Sequence, residues 1–229
     1  MTPGTLKQLI AARQKGAAVC LVTREDTGSD KILSFEDVQN MEGPLAQAAQ
    51  QAFSQDQQQS TDLDGTRFFL TPFNPPVRII IVGAVHISQA LLPMLSALSF
   101  STVIIDPRGA FARQERFESA NVINDWPDDA LSEMTIGHRD AIITLTHDPK
   151  LDDPALQTAL KSKAFYIGAL GSRRTHAKRV ERLTAAGFTA NNIDRISAPV
   201  GLNIGGRSPA EIALSIAADI VQALRSPQQ

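Results

Sequence analysis

Apolar and polar positions fall into blocks along this chain, and the clearest block spans residues 77–106. Arg78-Ile79-Ile80-Ile81-Val82 is a nearly unbroken apolar run, the pattern of a strand covered on both faces in a parallel sheet. A tight turn follows, Gly83-Ala84-Val85-His86. Ile87, Ala90, Leu91, Met94, Leu95 and Leu98 then recur at helical spacing and put one apolar stripe on a helix. Ser101-Thr102-Val103-Ile104-Ile105 is a second strand, closed by Asp106. Strand, glycine turn, helix, strand and acidic residue, in that order, is the first half of a dinucleotide-binding fold.

The alternation continues downstream. The pattern predicts a helical turn over 110–116, strands at 121–123, 140–144 and 164–168, and helices at 128–134, 149–160 and 172–186. Pro149, with Asp152 and Asp153, marks a helix start, and Gly187 a helix stop. Ser208-Pro209-Ala210-Glu211 reads as a capping box with proline in the first helical position, opening a helix to about residue 224. The predicted fold class is α/β, a Rossmann-like doubly wound parallel sheet with a small amino-terminal α/β region.

That leading region reads less clearly. The expected elements are a helix over 5–15 stopped by Gly16, a strand over 17–23, a turn over 26–31, a helix over 41–53 and a strand over 66–71. The glutamine-rich run 54–64 reads as a solvated loop. Asn74-Pro75-Pro76 is a stiff hinge, which places the domains at 1–74 and 77–229. The first domain looks too short and polar to bury much alone, so it is expected to pack on the second domain or on another copy of the chain.

Composition narrows the function classes. A net charge of −2 gives no general pull toward nucleic acid or acidic lipid. The single cysteine, Cys20, excludes an internal disulfide and a cysteine metal cluster, and a small buried hydrophobe is its simplest role. With no signal-peptide core and no apolar run of membrane length, the expected location is cytoplasmic, with no membrane partner.

The chemistry is expected at the carboxyl ends of the strands. Of the three glycines in a full dinucleotide fingerprint only Gly83 is present; Val85 and Ser88 hold the other two positions. A β-branched Val85 keeps a pyrophosphate off the backbone, so a Rossmann scaffold without a dinucleotide is favoured over NAD(P) binding. Asp106 stands where such folds often hold ribose hydroxyls. Thr144-Leu145-Thr146-His147-Asp148 follows the fourth strand. Gly168-Ala169-Leu170-Gly171-Ser172-Arg173-Arg174 follows the fifth and is the most informative loop. Glycines before a helix free N–H groups for an anion, and two arginines in the first turn oppose the helix dipole unless an anion compensates. From Lys161 to Arg182 there are seven Lys/Arg and one acid, Glu181. Gly201-Leu202-Asn203-Ile204-Gly205-Gly206-Arg207 also precedes a helix. His86 and His147 each sit at a strand end; the pair is a weak metal signal, and a hydrogen-bonded structural role suits each better. No nucleophile elbow, Walker loop or zinc-protease helix is present, and neither catalytic nor metal residues are assigned.

Taken together, Ile81-Val82-Gly83-Ala84-Val85-His86, Leu145-Thr146-His147-Asp148, Tyr166-Ile167-Gly168-Ala169-Leu170-Gly171-Ser172-Arg173-Arg174 and the segment from Pro199 to Ala213 resemble the XdhC/CoxI family. These are maturation factors for molybdenum hydroxylases such as xanthine dehydrogenase. The resemblance, over about residues 77–224, implies a non-catalytic dimeric carrier. It would hold molybdenum cofactor in its molybdopterin form, work with a cysteine desulfurase, and pass the cofactor to an apo molybdenum hydroxylase. The candidate cofactor-binding residues are Gly83, His86, Asp106, Thr146, His147, Asp148, Gly171, Ser172, Arg173, Arg174, Gly205 and Arg207. The chain departs from the family pattern at Val85, where a glycine is usual, and Cys20 lies in no glycine-rich cysteine motif; both mark a shortened, divergent member. The competing expectations are an NAD(P)-dependent oxidoreductase using the same cleft, against which Val85 argues, and a nucleotide-sensing module without chemistry.

Overall fold

The structure, a computed structural model, describes residues 1–225. Residues 226–229, the end of the expected second domain, lie outside the described residues. The chain divides into two compact units, Met1–Pro75 together with Arg225, and Pro76–Leu224.

The first unit contains α1 (Pro3–Gln14), β1 (Val19–Arg24), β2 (Asp30–Ser34), α2 (Phe35–Gln39), α3 (Pro44–Gln55), β3 (Gln59–Leu63) and β4 (Thr66–Phe73). Its strands form an antiparallel sheet in the order β2-β1-β4-β3. The expectation that this region buries little is corrected. Cys20, Val22, Leu33, Val38, Ala49, Ala52, Phe53 and Leu70 make a core of their own, and Phe35 meets Phe53 edge to face at 5.3 Å. Cys20 is fully buried there, and burial pushes its thiol pKa up to about 12, so it stays protonated and unreactive.

Three boundaries in this unit also differ from expectation. The run 54–64 is not wholly a loop, because Gln59–Leu63 pairs with β4 as an edge strand. An edge strand with one polar face carries no apolar run to announce it; its order comes from the neighbour's backbone. Asp30 and Lys31 leave the expected turn and join β2. The expected helix 41–53 starts at Pro44, after Gly43 at φ +94°, and a separate helix α2 precedes it, capped reciprocally by Ser34 and Asp37.

The second unit contains β5 (Arg78–Val82), α4 (His86–Ala97), β6 (Ser101–Ile105), β7 (Asn121–Ile123), α5 (Pro127–Ser132), β8 (Asp140–Thr144), α6 (Pro149–Lys161), β9 (Tyr166–Ala169), α7 (Arg173–Ala185), α8 (Ala190–Ile193), β10 (Ile196–Ser197) and, up to Leu224, α9 (Pro209–Arg225). The helical turn expected at 110–116 is a short 3-10 turn, Gln114–Arg116. Six strands lie parallel in the order β10-β9-β8-β5-β6-β7, a Rossmann-like α/β fold. Alternate residues of each strand go to opposite faces. Ile79, Ile81, Ile104 and Ile143 pack with Leu91 and Leu95 of α4 and with Ile216 and Ile220 of α9. Ile80, Val82, Ile105, Ile142 and Ile167 pack with Leu131 of α5, Leu151 and Leu156 of α6 and Leu183 of α7. Burying an Ile or Leu side chain is worth about 1.5–3 kcal/mol, so these two layers fix the register of the sheet and the position of its carboxyl-terminal edge. The strand order reverses between β5 and β8, which places the topological switch point between Val82 and Thr144.

Candidate functional site

The turn after β5 forms one wall of the switch point. Gly83 adopts φ +119°, and a Cβ there would stand 2.8 Å from Thr146 Cγ2, so the turn and the loop after β8 are in close approach. Ser88, in the third fingerprint position, is fully buried and its hydroxyl donates to the Gly83 carbonyl at 2.5 Å. Val85 is the extended N-cap residue of α4 and makes no side-chain cap.

Asp106, at the end of β6, is fully buried. Its Oδ2 accepts from Ala84 N at 2.8 Å and Arg108 Nη2 at 2.7 Å, and its Oδ1 from Arg108 Nε at 2.8 Å and Arg108 N at 3.0 Å. A carboxylate has about four lone-pair positions, and all are engaged within the chain, so this residue shapes the loop. Burial pushes its carboxyl pKa up, but the Arg108 guanidinium and the backbone N–H donors outweigh that and hold it below the usual carboxylate range. A depressed folded pKa means that the stability tied to Asp106 is complete above about pH 4 and is lost as pH falls through the folded value. Denaturant midpoints measured from about pH 5 down to about pH 2 are therefore expected to fall less steeply in Asp106→Asn than in the unaltered chain. Equal slopes would contradict this assignment.

A cavity of about 1240 Å³ opens beside these residues, with Val85, His86, Gln89, Arg108, Arg113 and Arg116 in its wall. His86 is exposed, and its Nδ1 lies 3.3 Å from Gln89 Oε1, which also accepts from Arg116 Nη2 at 2.8 Å.

The loop after β8 is tightly tied. Thr146 Oγ1 accepts from Asp148 N at 3.0 Å and donates to Asp152 Oδ1 at 2.6 Å. His147 adopts φ +64°, a left-handed conformation that costs a residue other than glycine of order 1–3 kcal/mol. Asp148 caps α6 by accepting from Lys150 N at 2.9 Å. Gly171, at φ +133°, leaves its Cβ position 3.0 Å from Thr175 Cγ2. Ser172 caps α7 by accepting from Thr175 N, and Arg173 and Arg174 are exposed in the first turn.

A second pocket, of about 280 Å³, lies between this loop and α7. It is lined by His147, Asp152, Arg174, Lys178, Arg179 and Arg182, with Pro149 and Thr175. Arg182 is committed to Asp153, with Nε at 2.5 Å and Nη2 at 2.9 Å from the carboxylate. Arg179 is 2% exposed. Its Nη2 donates to the Leu170 carbonyl at 2.9 Å and stands 3.9 Å from Asp152 Oδ2, while Nε and Nη1 have no hydrogen-bond partner. Burial pushes the Asp152 carboxyl up and the Arg179 guanidinium down; in both, desolvation outweighs the attraction between them. A buried donor without an acceptor costs about 1–3 kcal/mol, and more when it is charged.

The structure thus distributes the sequence-predicted residues. Gly83 and Thr146 meet at the switch point. His86 faces the larger cavity, to which Asp106 contributes through Arg108. His147 and Arg174 line the smaller pocket, with Thr146 bound to its Asp152. Asp148 and Ser172 cap helices, and Arg173 is outside both linings. Gly205, at φ +76°, and the exposed Arg207 lead into α9, where Arg207 N and Ser208 N both donate to Glu211 Oε2 at 2.8 Å. Neither residue lines either cavity. Sequence reasoning missed Arg179, Lys178 and Arg182 as pocket residues. The available signal was the spacing of Arg174, Lys178 and Arg182, with Thr175 and Arg179, on one face of α7. It also missed Tyr166, whose hydroxyl donates to Asp219 Oδ2 at 2.5 Å beside Ser197 Oγ and Gly201 N, and whose pKa burial pushes up. Among the described residues no group of three or more His, Cys, Asp or Glu is placed to hold a metal ion, and no helix is long and apolar enough to cross a membrane.

Residues 79–220 match the model of the XdhC Rossmann domain. A protein of Bacillus subtilis (strain 168), described as a probable subunit of xanthine dehydrogenase, is 31% identical over 158 residues, which cover 69% of this chain and 46% of that protein. The molybdenum cofactor insertion chaperone PaoD of Escherichia coli (strain K12) is 33% identical over 152 residues, covering 66% and 42% respectively. The chain spans less than half the length of these curated relatives. A crystal structure from Bacillus halodurans, described as a xanthine dehydrogenase, superposes with a TM-score of 0.69 at 25% identity, over 96% of this chain and 66% of that one.

Proposed function

The chain belongs to the XdhC Rossmann domain family, and from that membership we propose that it binds molybdenum cofactor and delivers it to an apo molybdenum hydroxylase of the xanthine dehydrogenase type. The observation that carries this reading is the 33% identity to a molybdenum cofactor insertion chaperone over 152 residues, two thirds of this chain. The residues present suit a phosphorylated pterin. Gly83 and Gly171 let the loops pack closely on Thr146 and Thr175, and cationic side chains line both cavities at the carboxyl-terminal edge of the sheet. In this reading Gly83, His86, Asp106, Thr146, His147, Asp148, Gly171, Ser172, Arg173, Arg174, Gly205 and Arg207 bind the cofactor or shape the loops that do. The chain acts as a carrier: its residues hold and orient the cargo and keep water from it, and the cargo's redox chemistry belongs to the recipient enzyme. A cysteine desulfurase and a second copy of the chain complete the set of partners. Val85 and Ser88, in two of the three fingerprint positions, set an NAD(P)-dependent oxidoreductase behind this reading.

The test is cofactor retention by the full chain. Two arginines in the first turn of α7 oppose the helix dipole, at a cost of up to about 1 kcal/mol, and a bound phosphate reverses that sign. Replacing Arg173→Ala and Arg174→Ala together is expected to lower cofactor affinity at least about tenfold, or about 1.4 kcal/mol. Thermal stability without ligand should hold or rise slightly. Unchanged retention in the double variant overturns the anion role of these arginines.

A further inference from the structure

We infer that the 280 Å³ pocket beside α7 is a site for a tetrahedral oxyanion, with the buried guanidinium of Arg179 as its principal ligand. The first observation is the orphaned donor set. Arg179 is 2% exposed, yet its Nε and Nη1 have no acceptor in the chain, and the residue lines the pocket. A buried cation keeps its charge when an anion or a full set of acceptors meets it. Here the protein supplies one carbonyl, from Leu170, and one carboxylate at 3.9 Å. Asp152 is held at that distance by the bond that its other oxygen accepts from Thr146.

The second observation is the surrounding charge. Arg174 and Lys178 stand on the same face of α7 as Arg179, are exposed, and form no ion pair among the described residues. With Arg182 already bound to Asp153, the cations facing the pocket outnumber its carboxylates. The third is size. The pocket suits an anionic end group and is too small to enclose a fused heterocycle with its tail. The ligand class is therefore a phosphate monoester dianion or free inorganic phosphate, seated along the side of α7 from Arg174 to Arg179. The site stands on the geometry of this chain alone. Where the carrier reading also holds, it assigns the cofactor's terminal phosphate to Arg179.

The experiment is calorimetric titration of the full chain with inorganic phosphate, at constant ionic strength set by chloride. The unaltered chain is expected to bind saturably. Arg179→Lys retains a charge but not the planar fork, and is expected to weaken binding at least about tenfold. Arg174→Gln and Lys178→Gln, which alter exposed residues and leave the core intact, are each expected to weaken it about threefold or more; they carry the test if Arg179→Lys does not fold. Lys7→Gln, in the first unit, controls for net charge and should bind like the unaltered chain. Absence of saturable binding, or phosphate affinity unchanged in the α7 variants, overturns the inference. Displacement of phosphate by a phosphorylated pterin identifies the ester as the occupant. Phosphate binding that such a pterin does not compete away supports a free-oxyanion site. Failure of the chain to retain molybdenum cofactor, with phosphate binding intact, removes the carrier reading and leaves this one standing.

Discussion

Replacing Asp152→Ala is expected to destabilise the second unit by about 3–5 kcal/mol. Asp152 and Arg179 are both almost wholly buried and stand 3.9 Å apart as an ion pair, while the neighbouring Arg182 is bound to Asp153. Deleting the carboxylate leaves a buried guanidinium with one hydrogen bond, to Leu170, and also frees the Thr146 hydroxyl that fixes the loop after β8. Removing one member of a buried pair costs more than removing both, because the desolvation penalty of the survivor is no longer offset. The double replacement Asp152→Ala with Arg179→Met is therefore expected to recover a substantial part of the loss. The measurement is denaturant unfolding followed by fluorescence of the single tryptophan, Trp126, which lies in the second unit at the start of α5. A midpoint fall on the order of 10 °C in thermal unfolding would accompany it. If Asp152→Ala unfolds within about 1 kcal/mol of the unaltered chain, the pair is solvated and the account of Arg179 as a buried, under-satisfied cation fails.

Gly83→Ala is expected to cost about 2–4 kcal/mol and to weaken ligand binding at the switch point. At φ +119° a residue with a Cβ is strained whatever the space, by about 1–3 kcal/mol. The space is also taken: the new Cβ would lie 2.8 Å from Thr146 Cγ2 and 3.4 Å from the Leu145 and Thr146 backbone. Thr146 cannot turn away without giving up its bonds to Asp148 N and Asp152 Oδ1. The steric and conformational parts separate in a second variant. Thr146→Ser keeps the hydroxyl and deletes the methyl, so adding it to Gly83→Ala should return the steric part and leave the φ strain. A Gly83→Ala chain that unfolds within about 0.5 kcal/mol of the unaltered one would show that the turn relaxes freely.

The second unit was the more legible half of this protein. Its strands are buried on both faces, so their apolar runs stand out in the sequence, and the helices carry local signals in Pro149, Gly187 and the Ser208–Glu211 box, the last seen as the Glu211 bonds to Arg207 N and Ser208 N. Period and capping are properties of consecutive residues, and a sequence displays them directly. Strand β10, two residues long, and helix α8, of four, are too short to show a period. Strands β2 and β3 lie at the edges of their sheet, where one neighbour's backbone supplies the order and side-chain pattern says little.

The site divides along the same line. Residue type and loop position singled out Gly83, the segment from Thr146 to Asp148 and the arginine-rich start of α7. Tertiary structure decided their roles. It spent every lone pair of Asp106 on Ala84 and Arg108, made caps of Asp148 and Ser172, and sent His86 and His147 to different cavities. Arg179 looks in sequence like one more cation on a basic helix. Its burial depends on where α6 lays Asp152 and where the chain leaves β9 at Leu170, contacts made when the sheet brings separate elements together. Desolvation and hydrogen-bond satisfaction are set by what surrounds a group in space, and so the turns and helix starts were written locally while the charge environment of the pocket emerged only when the sheet brought its loops together.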